Sequence, residues 1–78
     1  MVAGLLDGDW LAKQEGVVQV KQHGIEVLTP QVARSLVALL DEHHCHLRWD
    51  AAHTLGTLFA KGARIFMAGD GGVSVRRV

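Results

Sequence analysis

Imidazole and thiol groups gather in one short stretch, His43, His44, Cys45 and His46, with His53 seven residues further on. These are ligand types that zinc, nickel and copper favour, so a small metal-binding protein is one function the chain could have. The spacing argues otherwise. If the preceding helix continues, His43 and His44 fall at the end of its apolar stripe and Cys45 on the opposite side, so neighbours do not converge on one ion. Histidines near a helix C-terminus have a structural use instead, because their N–H groups can satisfy the last carbonyls. No metal site is expected. A cysteine beside a histidine is also the pairing of a thiol nucleophile, but no third orienting group or oxyanion-hole candidate accompanies Cys45. The carboxylates Asp7, Asp9, Asp41, Glu42, Asp50 and Asp70 each read as a cap, a turn or a solvated face. No catalytic residue and no cofactor is expected, and the chain does not read as an enzyme.

The elements that must position these groups lie between Thr29 and Ala63. Thr29 can cap the opening turn of a helix and Pro30 suits its first position. From there Val32, Leu36, Leu39, Leu40 and His43 recur at helical spacing, with Gln31, Arg34, Ser35, Ala38, Asp41 and Glu42 on the wet side. A second helix is expected over Ala51 to Lys61, capped by Asp50 and stopped by Gly62, with Ala51, Ala52, Leu55, Leu58, Phe59 and Gly62 as its apolar stripe. Its outward face carries His53, Thr57, Lys61 and Arg64, with Trp49 at its entrance. These five residues form the candidate partner-binding surface; the alternative is an ordinary solvated face with Trp49 tucked into the core.

Two hairpins are expected to flank the helix pair. VVQVKQHGIEVL, residues 17 to 28, reads as two short strands joined at Lys21 to Gly24, with His23 solvated at the tip. After the second helix, Ile65 and Met67 alternate with Arg64, Phe66 and Ala68, Val73 and Val75 alternate with Ser74 and Arg76, and Gly69 to Gly72 forms the turn. That glycine-rich loop does not open a helix, so it reads as a turn and not as a phosphate cradle. In the first fifteen residues Asp7-Gly8 could turn a hairpin, but the preferred reading is a short helix Trp10 to Glu15, capped by Asp9 and ended by Gly16. Leu5, Leu6, Trp10 and Leu11 would then lie as a lid on the core, or Trp10 would stand exposed as an anchor. The expected fold class is α+β in the order β-β-α-α-β-β: one small antiparallel sheet, built from two hairpins, with both helices on one face.

Composition narrows the function classes. Hydrophobic residues make up 49% of 78 residues, with nine glycines besides. That is more apolar than the ~45–50%, glycine included, of an ordinary globular domain, and a partner or a second copy would cover the excess. The zero formal charge argues against a protein whose main affinity is for phosphate backbone. A winged-helix reading, with Arg64, Arg76 and Arg77 near the wing, lacks the extra helix that fold needs. One cysteine implies no intramolecular disulfide, and no apolar run approaches a membrane span. The opening methionine suggests a complete small cytoplasmic product. The expectation is a non-enzymatic protein-binding module, a bacterial, phage or mobile-element accessory protein that inhibits or regulates a larger complex. An anti-CRISPR-type inhibitor is one form. It would be a homodimer paired through a strand from Val73 to Val78; a nucleic-acid-binding regulator is the alternative, and no membrane is involved.

Overall fold

A cap at Asp9 decides the first third of the chain. Its backbone is extended and its carboxylate accepts the Ala12 N–H at 2.9 Å. The helix that follows does not stop at Gly16. In the computed structural model, which describes residues 2–77, this helix (α2) spans Trp10–His23 and follows a five-residue helix (α1) over Val2–Leu6. The N-terminal hairpin expected over residues 17 to 28 is therefore absent, and that segment is the second half of α2 followed by a 3-10 turn over Gly24–Val27.

The reason is burial. Val17 and Val20 stand three residues apart, on one helical face, and both are sealed in the core. Their β-branched side chains favour strands only weakly, by less than the apolar area they bury here is worth. Gly16, expected as a stop, is a crossing point: a Cβ there would lie 2.9 Å from two carbons of Leu6, so only glycine lets α1 and α2 approach. Gly24 is the actual terminator, with φ at +63° and its N–H donating back to the Val20 carbonyl.

The next helix begins where its local signals place it. Thr29 Oγ1 accepts the Val32 N–H at 3.2 Å, and α3 spans Pro30–Ala38. It ends earlier than the apolar spacing implied, passing into a 3-10 turn over Leu39–Asp41. Val32, Leu36 and Leu39 are buried as expected, whereas Leu40 and His43 are exposed. The last helix, α4, runs over Cys45–Ala60, six residues earlier than the expected start, so Asp50 lies inside it. Ala51, Leu55 and Leu58 face the core with Leu47 and Thr54, while Ala52 and Phe59 do not.

The sheet is a single C-terminal hairpin, β1 (Ala63–Met67) and β2 (Val73–Arg77), paired antiparallel with Ile65 opposite Val75. Asp70 Oδ1 accepts the Gly72 N–H at 2.9 Å, and Gly71 takes φ at +88° to close the turn. Ile65, Val73 and Val75 pack on the core, leaving Arg64, Phe66, Ser74 and Arg76 outside. Val78, assigned to this strand from sequence, lies outside the described residues. Among the described residues the order is thus four α-helices and then one hairpin. The expected β-β-α-α-β-β arrangement fails at its first two strands, because helical burial overrides their local preference. α2 packs against α1 and α4, and α3 against α1 and β2. Among the described residues, no helix is long and apolar enough to cross a membrane.

Candidate functional site

The histidine cluster straddles the junction that leads into α4. His43 and His44 precede α4, Cys45 and His46 occupy its first turn, and all four are exposed. Among the described residues no three His, Cys, Asp or Glu side chains stand close enough to hold a metal ion. His44 occupies the cap position without donating or accepting a side-chain cap bond, and its ring stacks on Trp10 at 5.3 Å between centroids. It ties the start of α2 to the start of α4.

A cleft between α2 and α4 is where polar groups converge. Its volume is about 250 Å³, and it is lined by Val20 and Lys21 of α2, by Gly24, and by His53, Thr54, Thr57, Leu58 and Lys61 of the α4 segment. Three of the five residues picked as a partner surface, His53, Thr57 and Lys61, therefore meet here. Spacing explains the convergence, since positions 53, 57 and 61 repeat every four residues along one helix face. Trp49 stands one turn before His53 and is 65% exposed, with its indole stacked on the imidazole at 5.2 Å and an interplanar angle of 3°. Arg64 is placed elsewhere. Its guanidinium donates to the Phe59 carbonyl at 3.0 Å and to its own neighbour Ala63 at 2.7 Å, closing the C-terminal end of α4.

Sequence reasoning missed Lys21, Gly24 and Thr54. Lys21 and Gly24 had been placed in a hairpin turn, where neither would meet α4. The available signal was the run Val17, Val20, Gly24, which has the three- and four-residue steps of a helix face. Thr54 carried no signal beyond being a polar residue one position from the expected core stripe.

The polar groups of this cleft differ in how far they are satisfied. Lys21 Nζ reaches Asp50 Oδ1 at 3.2 Å. Thr57 Oγ1 donates to the His53 carbonyl at 3.0 Å, the usual recourse of a hydroxyl inside a helix. Thr54 does not follow suit: its hydroxyl oxygen is buried and has no hydrogen-bond partner. Lys61 forms no ion pair among the described residues. Its ammonium lies over the end of α2, 3.6 Å from where a Cβ on Gly24 would be. The arrangement offers an ammonium, an imidazole and a hydroxyl around apolar walls, so it can donate hydrogen bonds to an anion.

A second cleft, of about 300 Å³, lies between α1, α2 and α3 and includes Asp7, Lys13, Arg34, Ser35, Leu39 and Glu42. Its charges answer one another. Lys13 Nζ sits 2.7 Å from Glu42 Oε2, Ser35 Oγ donates to Asp7 Oδ1 at 3.4 Å, and Arg34 donates to the Gly71 carbonyl at 3.0 Å. The hydrogen bond from Lys13 holds the Glu42 carboxyl below the usual carboxylate range. Partial desolvation opposes this, and the Lys13 charge, the His43 N–H and the nearby His44 reinforce it. No family model matches this chain, and comparison with curated proteins and with solved structures likewise finds no match.

Proposed function

We propose that this chain is a non-enzymatic protein-binding module that inhibits or regulates a larger complex, with the outer face of α4 as its contact surface. The observation that carries the reading is Trp49, an indole left 65% exposed yet held by a parallel stack on His53. An exposed aromatic ring with few internal rotations is a typical interface anchor, and one already oriented loses less entropy on binding. Gly56, on the same face, has open space around it, so a partner surface can approach the helix backbone closely. The occupant that fits is a protein with an apolar pocket sized for an indole. A mobile-element or phage inhibitor acting in the cytoplasm is the biological form this reading takes.

The test is capture from host lysate with wild type, Trp49→Ala and Phe66→Ala, each checked for folding by circular dichroism. One stoichiometric partner retained by wild type and Phe66→Ala and lost with Trp49→Ala supports the reading; a partner retained equally by all three refutes it. Self-association belongs to the same proposal. The hairpin has only two strands among the described residues, so β2 has an edge for a second copy, and light scattering should give twice the chain mass. A second reading, a nucleic-acid-binding regulator, is favoured by the hairpin's outer face, where the Arg76 guanidinium lies 6.0 Å from the Phe66 ring centroid beside Arg64. Salt-dependent binding to single-stranded DNA, lost with Arg76→Ala, would select it.

A further inference from the structure

We infer that the cleft between α2 and α4 is a binding site for a carboxylate carried on a short aliphatic stem. The Lys61 ammonium, the Thr54 hydroxyl and the His53 imidazole would take the carboxylate, and Val20 and Leu58 the stem. Three independent observations meet there. The first is the cavity itself, about 250 Å³, below the ~300–1,000 Å³ of pockets for drug-sized ligands and suited to a small fragment. The second is the orphaned Thr54 hydroxyl, 1% exposed, in a helix where Thr57 has bonded its own backbone. Buried hydroxyls are nearly always paired, and this lone one belongs to a residue that lines the cavity, so a turn of its side chain can bring it to a partner from outside. The third is Lys61, a cation at the same cavity without a counter-charge among the described residues, whereas Lys21 beside it is already held by Asp50.

The ligand's charge follows from this inventory. One uncommitted ammonium balances a single negative charge; a phosphate carrying close to two would call on a second cation, and Lys21 would have to leave Asp50 to supply it. A neutral ligand would make no use of that charge. Such a carboxylate has two sources, a free small acid or an acidic side chain presented by another protein. The inference does not depend on Trp49 acting as a protein anchor, since it concerns the isolated chain and a small molecule.

The experiment is an amide chemical-shift titration of the full chain at constant pH and ionic strength. The probes are sodium butanoate, its neutral isostere butanamide, sodium phosphate and the blocked amino acid N-acetylglutamate methylamide. The expected result is saturable shifts at His53, Thr54, Thr57 and Lys61 with a dissociation constant of ~1 mM for butanoate or the blocked glutamate. Whichever of the two binds more tightly identifies the source. Thr54→Val and Lys61→Met should each weaken binding about tenfold, the loss expected for one hydrogen bond to a charged group. Thr54→Val has a second readout: with no ligand it should raise the urea midpoint, because it removes a polar group that nothing satisfies. The inference is overturned if butanoate and the blocked glutamate bind no better than butanamide, or if phosphate binds more tightly than both. Binding undiminished in both variants, or a Thr54→Val protein no more stable than wild type, overturns it equally.

Discussion

The two clefts are similar in size and opposite in character. Between α1, α2 and α3, Lys13 meets Glu42, Ser35 meets Asp7, and Arg34 meets a carbonyl of the hairpin turn. Those bonds join segments far apart in sequence, so that cleft is a seam of the fold. Between α2 and α4, Lys61 and the Thr54 hydroxyl are left unanswered by the chain itself. Polar groups that satisfy one another hold a structure together, whereas polar groups left open at a cavity are available to something else. A buried one, such as the Thr54 hydroxyl, reduces the stability of the free protein.

The largest effects should not distinguish the clefts, and that is their use as controls. Leu58 lines the open cleft and Leu39 the paired one, and both are buried in the core. Leu58→Ala and Leu39→Ala, like Leu36→Ala at the centre, should each cost roughly 2–5 kcal/mol in urea unfolding. Near-neutral values would refute the helix phasing on which both clefts rest. Hydroxyl deletion should then separate them by sign. Thr54→Val should stabilise by about 1 kcal/mol, while Ser35→Ala, which loses its bond to Asp7, should destabilise by up to about 0.5 kcal/mol. Equal signs would erase the contrast.

Smaller again is the cation comparison. Lys13→Met should lower the urea midpoint only slightly, and a double-mutant cycle with Glu42→Gln should recover most of that small loss as coupling. Lys61→Met should stay within about 0.5 kcal/mol of wild type, having no partner to lose. The smallest expected effect is on pH. Glu42 is held below its usual range by Lys13, so the folded state binds its proton less readily than the unfolded chain does. The stabilisation is therefore complete above the ordinary glutamate range, near ~4.3, and is lost as pH falls through the folded-state value. Urea midpoints measured from about pH 6 to about pH 3 should show this decline, and Glu42→Gln should remove that part of it.

What could be read from sequence and what could not divide along the range of the interactions. Thr29 and Pro30 marked the start of α3 because a cap is made within three residues, and the alternation Ile65, Val73, Val75 marked the hairpin because period two and a glycine turn are local facts. His53, Thr57 and Lys61 were placed on one face by helical spacing alone. Val17 and Val20, by contrast, carry a strand preference that only the packing of α1 and α4 against α2 overrules, and Gly16 has the local marks of a helix stop but serves to admit Leu6. The cleft was beyond sequence for the same reason. Lys21 and Gly24 come from one helix and Thr54 and Lys61 from another segment, and whether a hydroxyl is paired or orphaned depends on which neighbours folding brings to it. Local chemistry determined where α2, α3 and the hairpin begin; tertiary packing decided where α4 starts, which elements pair, and which polar groups were left without a partner.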